Sequence, residues 1–519
     1  MNDSNKKYYF LFLLLIVLAI KSFMMAFFIL HGEVGLGPDE AQYWTWSQSL
    51  DWGYYSKPPG IAWQIWAGTK LFGNTELGVR FFSLIFSVFQ SLFVFWLALA
   101  SGLRPKSAFW AGMIMALSPL GIMGSFLAIT DCGMMLFWTL SCIVFCIALK
   151  QNEKPNYYLL GLLIACGALF KWSIYLLWIP IFGFSFVYSF VFSFHILGGA
   201  IISLLGLIPS IIWNYSHQWV TFRHVFASVK SHESEHIVSK PLFNGNFFDF
   251  LGAQAVLVSP ILFIILLAGF YYLIKNRKTI SAPIAFCGGT SLVLISAMQL
   301  LSIFNKVQGN WVDFAYPTGF VFLTWYACEI TKTKWLQVGL LLSIALSALG
   351  LSIPYVQSHN MFGKRFVPYK VNPFRHNLGW PELGEALHDF GYDPKKEFLF
   401  GDMYQTTSVL SFYAPEQKRA YFLNLHGIRL NQFSFWPDMS QEQVGKTGYF
   451  VVTNNMPNLE KNKDDQIAFY QTALQKYFSH VEFLGMKPLF FSNGHLAKGA
   501  LIFRCIDYNG KSPPVANIY

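Results

Sequence analysis

Gly37-Pro38-Asp39-Glu40-Ala41-Gln42-Tyr43-Trp44, resumed at Gly53-Tyr54-Tyr55-Ser56-Lys57-Pro58-Pro59-Gly60, follows directly on an apolar stretch that runs from about Phe10 to Leu30. About 20 apolar residues suffice to cross roughly 30 Å of hydrocarbon. The two acids and the lysine therefore fall in an aromatic-rich, proline-stiffened loop at a membrane surface. There a protein would grip a phosphate and activate a hydroxyl.

Outward from this loop the chain stays apolar. Of its 519 residues, 54% are hydrophobic and only 12% are charged, whereas soluble domains are about a quarter charged. An ordinary soluble enzyme is excluded, and a polytopic α-helical membrane protein is predicted. Spans read at 10–30, 80–100, 108–127, 131–149, 157–171, 173–192, 194–213, 250–274, 281–303, 311–330 and 335–354. They amount to about eleven transmembrane helices, with an upper reading of about 13.

Orientation follows from the cations, because Lys and Arg in short loops resist translocation. Lys6 and Lys7, Arg104 and Lys106, Lys150 and Lys154, Lys275 to Lys278, and Lys332 and Lys334 fall in alternate loops, which are read as cytoplasmic. Loop 31–79, the Thr130-Asp131 turn, the Lys171 turn, loop 214–246, the Lys306 loop and everything after about Pro354 then lie outside. The first span has no Ala-x-Ala-like cleavage site and is read as retained. The net charge of +10 comes from scattered loop residues, not from a basic stripe with stacking aromatics, so no nucleic-acid partner is expected. The seven cysteines form no disulfide framework and no Cys-x-x-Cys metal site.

From about residue 355 the apolar runs give way to short alternating elements. Strands are expected at 397–400, 419–423, 448–453, 481–484 and 500–505, and helices at 404–413 and 464–478. The division predicted is a membrane portion, 1–354, and an extracytoplasmic α/β domain, 355–519.

Each chemically suggestive residue has a structural reading beside the functional one. Asp39 and Glu40 after Pro38 suit a helix start, or supply a carboxylate base at a cavity mouth. Lys57 ends a loop in extended geometry, or is held by Pro58-Pro59 to meet a phosphate oxygen. Arg80 is a second phosphate partner or an interfacial anchor. Asp131 caps a helix or serves as an ionisable group near hydrocarbon, and Lys171 shares that ambiguity. His232-Glu233-Ser234-Glu235-His236 matches His-Glu-x-x-His, but in a polar loop with no third ligand it reads as a solvated charged segment.

The run from Gly37 to Gly60, continuing through Phe72-Gly73-Asn74-Thr75-Glu76-Leu77-Gly78-Val79-Arg80, resembles the first extracytoplasmic loop of GT-C glycosyltransferases, the superfamily of protein O-mannosyltransferases and bacterial lipid A aminoarabinose transferases. Thr130-Asp131, Pro209 to Asn214 with His217 and Trp219, and Lys306 to Trp311 add to it. Gly379 to Gly384, Tyr404-Gln405-Thr406 and Arg429-Leu430-Asn431-Gln432 resemble the tail of the bacterial members. The resemblance implies a GT-C fold with a C-terminal α/β domain in the bacterial inner membrane, N-terminus cytoplasmic and C-terminal domain periplasmic. It also implies an inverting transferase that takes a sugar from a polyprenyl phosphate and gives it to lipid A or another envelope glycolipid. Asp39, with its neighbour Glu40, and Asp131 would be the catalytic acids, and Lys57, Arg80 and Lys171 the donor-phosphate ligands. Tyr43, Tyr55, His217, Lys306, Tyr404 and Gln405 would contact sugar or acceptor. Ser56 stands where aminoarabinose transferases carry glutamate, which argues against that sugar and against a metal there. No cofactor is required by these residues, a divalent ion is left open, and no metal ligand is assigned. Two rival activities remain: a polyprenyl-lipid flippase, and a protein O-glycosyltransferase.

Overall fold

The computed structural model describes residues 3–32, 34–230, 244–361, 368–455 and 462–513. The His232–His236 motif lies outside the described residues. Seven helices open the chain: α1 (Asp3–His31), α2 (Pro38–Ser47), α3 (Gly60–Phe72), α4 (Glu76–Ala100), α5 (Pro105–Leu117), α6 (Pro119–Phe126) and α7 (Thr130–Gln151).

Six helices are long and apolar enough to cross a membrane, and up to eight if each of two bent pairs is one span. The bends have a sequence cause. At Ser118-Pro119 and Ser259-Pro260 the proline removes a backbone donor, while the serine hydroxyl accepts from Gly121 N and Leu262 N and so starts a new helix. The resulting angles are 56° and 107°. Three of the eleven expected spans are shorter than a full crossing. The stretches at 157–171 and 173–192 become Tyr157–Ala168 and Trp172–Val187. The one at 311–330 becomes a 3₁₀ segment, Gly309–Ala315, followed by Tyr316–Trp325 and a π turn, Tyr326–Ile330. One end of the bundle gathers Lys6, Arg104, Lys106 and Thr333 round a common cavity, and Arg104 pairs with Glu329 at 2.7 Å. Loops grouped by their cations thus share an end.

The C-terminal region holds a five-stranded mixed sheet: β1 (Phe398–Gly401), β2 (Tyr421–Phe422), β3 (Gly448–Asn455), β4 (Phe478–Ser492) and β5 (His495–Tyr508), in the order β2-β1-β3-β5-β4. β1 runs parallel to β2 and β3, whereas β5 is antiparallel to β3 and β4. The expected short strands at 481–484 and 500–505 are parts of a long hairpin. Its turn is Asn493-Gly494, with φ of 52° and 77°, the pair of left-handed residues that matches strand twist. The helix expected at 404–413 is Tyr404–Tyr413.

The sheet region and the first loop share one buried core. Leu36, Trp44, Trp46, Tyr54 and Ile61 pack with Trp380, Leu399, Leu410, Phe412 and Ile502, and Trp44 meets Phe412 edge-on at 5.0 Å. Burying a large aromatic contributes about 1.5–3 kcal/mol, so several such anchors hold Tyr404–Tyr413 firmly against α2.

Candidate active site

Gly37 caps α2 in extended geometry, and the Glu40 side chain returns to the Gly37 amide at 2.9 Å. The same carboxylate takes Arg80 Nε at 2.9 Å and Nη2 at 2.7 Å, the Ala128 amide at 2.9 Å and the Asn377 amide at 3.3 Å. Arg80 also donates to the carbonyls of Val34 and Gly35 at 3.1 and 2.7 Å and lies over the Phe126 ring. Its side chain is fully buried and that of Glu40 is 3% exposed. The expectations of a catalytic Glu40 and a phosphate-binding Arg80 are therefore corrected. These two groups satisfy each other and lock α2, the start of α4 and the α6–α7 junction together.

Asp39, one residue earlier, is exposed. The Tyr404 hydroxyl donates to its Oδ1 at 3.2 Å. Adjacent helical residues diverge by about 100°, which is why one acid is sealed while its neighbour faces open space.

Lys57 approaches from the other side of the loop. Gly60 N donates to Leu169 O at 2.8 Å, and a Cβ at Gly60 would stand only 2.7 Å from that oxygen, so only glycine permits the approach. This clamp brings the Lys57 loop beside Lys171, which pairs with Asp131 at 2.6 Å. The Lys57 pKa is pulled below its usual value by burial first, then by the Lys171 charge, and Arg429 adds to this while Asp131 and Asp39 oppose it. Among the described residues no hydrogen bond or ion pair neutralises the Lys57 ammonium. A cation kept partly dry beside other cations binds an incoming anion strongly.

Tyr43, 6% exposed, has its hydroxyl pKa pushed well up by burial and by Asp39, Tyr404, Asp131 and Glu40 around it. Tyr404 likewise titrates above its ordinary range, through burial and then Asp39. Both phenols stay neutral and can donate hydrogen bonds. Asp39, Lys57, Asp131, Lys171, Tyr43 and Tyr404 are thus brought together.

The remaining expected contacts are placed elsewhere. Tyr55 is buried, packed on His224 at 4.8 Å and Phe435 at 5.9 Å, so its ring is not a free sugar platform. His217 lies flat on Trp213 at 3.9 Å, with Nδ1 at 2.7 Å from the Trp213 carbonyl. That ring orders the wall rather than facing the acids. Lys306 is exposed in the turn before Gly309, with no contact to the cluster among the described residues. Gln405 follows Tyr404, and its buried Oε1 has no hydrogen-bond partner among the described residues.

Two participants, Asp313 and His224, were not assigned from sequence. Asp313 is 5% exposed, and its buried Oδ1 has no hydrogen-bond partner among the described residues. It shares with Asp131 the polar end of an apolar cavity of about 250 Å³ lined by Met115, Met123, Met135 and Leu257. A lone acid within the run read as a span at 311–330 was the signal for it. Arg429 lies near enough to act electrostatically on both Lys57 and Tyr404. His224 is kept neutral down to about 4 by burial, then by Arg429 and Lys57.

No described group of three or more His, Cys, Asp or Glu side chains could hold a metal. Asp39 is met by a phenol and Asp131 by an ammonium.

A helical bundle of many apolar spans, with a loop-borne acid and cation under a mixed α/β cap, defines a multi-pass membrane protein of GT-C architecture. A family model described as dolichyl-phosphate-mannose-protein mannosyltransferase matches residues 56–213. The chain is 27% identical over 332 residues to the lipid A galacturonosyltransferase RgtD of Rhizobium johnstonii, which covers 60% of this chain and 63% of that relative's length. Among solved structures, ArnT from Cupriavidus metallidurans bound to undecaprenyl phosphate aligns with a TM-score of 0.59 at 12% identity, over 94% of this chain and 97% of that one. The apo form of ArnT aligns with a TM-score of 0.58 at 13% identity, over 95% and 97% of the two chains. The apo oligosaccharyltransferase of Archaeoglobus fulgidus aligns with a TM-score of 0.50 at 13% identity, over 92% of this chain and 74% of that one. The chain shares the GT-C fold of these solved structures.

Proposed function

We propose that this protein is an inverting glycosyltransferase that moves a sugar from a polyprenyl phosphate to a lipid A-type envelope glycolipid. The observation that carries the reading is that the exposed Asp39 carboxylate, which accepts from the Tyr404 hydroxyl at 3.2 Å, lies near enough to the Lys57 ammonium for its charge to act on it. In support of the substrates, the relative RgtD is named for lipid A and a structural neighbour binds undecaprenyl phosphate.

Asp39 takes the proton of the acceptor hydroxyl as its oxygen attacks the anomeric carbon. The bond from that carbon to the phosphate oxygen breaks, its electron pair leaves with the polyprenyl phosphate, and Lys57 meets the growing negative charge. One displacement inverts the centre. The acceptor proton ends on Asp39 and returns to water. Asp131, tied to Lys171, keeps that lysine beside the phosphate side. The apolar cavity beside Asp131 and Asp313 suits the lipid portion of a substrate.

The same reading puts the pocket on the periplasmic face of a bacterial inner membrane, the N-terminus in the cytoplasm, and residues 355–519 outside as a separate domain covering the site. Purified protein mixed with a polyprenyl-phosphate sugar and lipid A tests it by mass spectrometry. Sugar-bearing lipid A is expected. Lipid moved across liposomes without product would favour a flippase, and sugar on Ser or Thr of envelope proteins would favour protein glycosylation.

A further inference from the structure

A charged cavity lies at the end of the bundle away from the Asp39 loop. α1 carries Lys6 near its start and His31 at its end. At 1.5 Å per residue the two are roughly 38 Å apart, a full bilayer crossing. The cavity, of about 760 Å³, is lined by Lys6, Arg104 and Lys106 and by the rings of Tyr9, Phe10 and Trp110, and no described carboxylate lines it. Glu329, carried by the π turn Tyr326–Ile330, meets Arg104 at 2.7 Å and accepts the Ser107 hydroxyl at 3.1 Å. Lys106 is exposed, and among the described residues no carboxylate pairs with it.

Two helices begin at this cavity, α5 at Pro105 and the helix Thr333–Ser358 at Thr333, and neither N-cap side chain, of Arg104 or of Lys332, closes its helix. Each start adds amide donors and the positive end of a helix dipole to the three cations. The Trp110 indole, on the same wall, has a buried Nε1 with no acceptor among the described residues, whereas buried donors are normally paired. Phosphate oxygens meet all of these needs. A free phosphate ion would leave most of the volume and the three rings unused, so the charge and the shape together call for a lipid headgroup. A choline or ethanolamine headgroup would bring a further cation among the three already there, which repulsion disfavours. A glycerol headgroup brings none.

We propose that this cavity binds the headgroup of an anionic phospholipid of the phosphatidylglycerol type, in the leaflet opposite the Asp39 loop. The cations and helix starts hold the phosphate, and Tyr9, Phe10 and Trp110 take the glycerol and the upper acyl chain, as rings at a membrane interface do. The site is separate from the transfer pocket and does not depend on what that pocket transfers.

The test places the full-length protein in phosphatidylcholine nanodiscs doped with a photoreactive phosphatidylglycerol or, in a parallel sample, with a photoreactive phosphatidylcholine, and maps the crosslinks by mass spectrometry. The glycerol lipid should label residues 103–110 and 328–333 more strongly than the choline lipid. Lys106→Gln should cut that labelling about 5-fold, the effect of one cation at a membrane surface. Glu329→Gln removes the carboxylate that offsets Arg104 and should raise it, an effect that a merely damaged fold would not produce. Equal labelling of wild type by the two lipids, unchanged labelling of Lys106→Gln, or weaker labelling of Glu329→Gln would overturn the proposal. Complete displacement of the lipid by millimolar inorganic phosphate would also overturn it, because the cavity would then be a site for the free anion.

Discussion

Around Arg80, the Glu40 carboxylate accepts five hydrogen bonds in a fully buried setting. Around Lys57, the neighbouring carboxylate of Asp39 faces open space with one phenol on it, and the lysine has no ion-pair partner among the described residues. The first arrangement is closed and the second is open. Charges buried and mutually satisfied contribute a fixed geometry. Those left partly dry and incompletely paired are available for chemistry.

The largest expected effect breaks the closed arrangement. Arg80→Ala leaves the Glu40 carboxylate buried without its cation and should cost about 3–5 kcal/mol, read as loss of folded protein in a detergent thermal-melt assay. If that variant kept the wild-type Tm, the division between a structural and a chemical acid would fail.

Next comes the link between the two regions. Asp131→Asn removes the partner of Lys171, whose side chain is 20% exposed. The expected destabilisation is about 1–3 kcal/mol, together with weaker donor binding, measured by titration of polyprenyl phosphate.

A smaller effect sharpens the account of Lys57. In the proposed transfer its charged form holds the phosphate, and burial with Lys171 and Arg429 nearby lowers its pKa from the ordinary 10.5. Donor binding should thus fade as pH rises through that lowered value, while Lys57→Arg should hold binding to higher pH. Binding that stayed constant up to pH about 10.4 would contradict it.

The smallest effect lies away from both regions. In the sheet domain His426 Nε2 is 2.8 Å from Asp402 Oδ2, and Tyr470 donates to the same oxygen at 2.8 Å. The hydrogen bond to Asp402 raises the His426 pKa despite burial. A raised folded pKa contributes stability that is complete below the unfolded value of about 6.5 and is lost as pH rises through the folded value. The Tm of wild type should fall slightly over that window, and the Tm of His426→Gln should not follow it.

Much of the site was legible in the sequence because it is local. Asp39 after Pro38 and Lys57 before two prolines are each placed by their immediate neighbours, and Asp131 and Lys171 stand where helices begin or break. Glu40 and Arg80 were misjudged because an adjacent acid pair does not say which member turns inward. That depends on Asn377, Ala128 and the Gly35 carbonyl, which only the folded chain brings near. Asp313 and His224 escaped for the same reason, since their neighbours come from other elements. Most of the spans were readable from apolar length alone. The short helices after Asn156 and Lys171 were not, because a crossing inferred from composition ignores where a helix breaks. Asn493-Gly494 could have been recognised as a hairpin turn, and missing it shortened two strands that are 15 and 14 residues long.

The central claim, that Asp39 does chemistry while Glu40 holds structure, is tested most directly by making Asp39→Asn and Glu40→Gln side by side and measuring, on each, the thermal midpoint and the rate of sugar transfer to lipid A per folded molecule. Asp39→Asn should melt like wild type and lose about 10²-fold to 10⁴-fold in rate, whereas Glu40→Gln should melt markedly lower yet transfer at near wild-type rate in the fraction that remains folded. Near-normal transfer by folded Asp39→Asn would contradict the account.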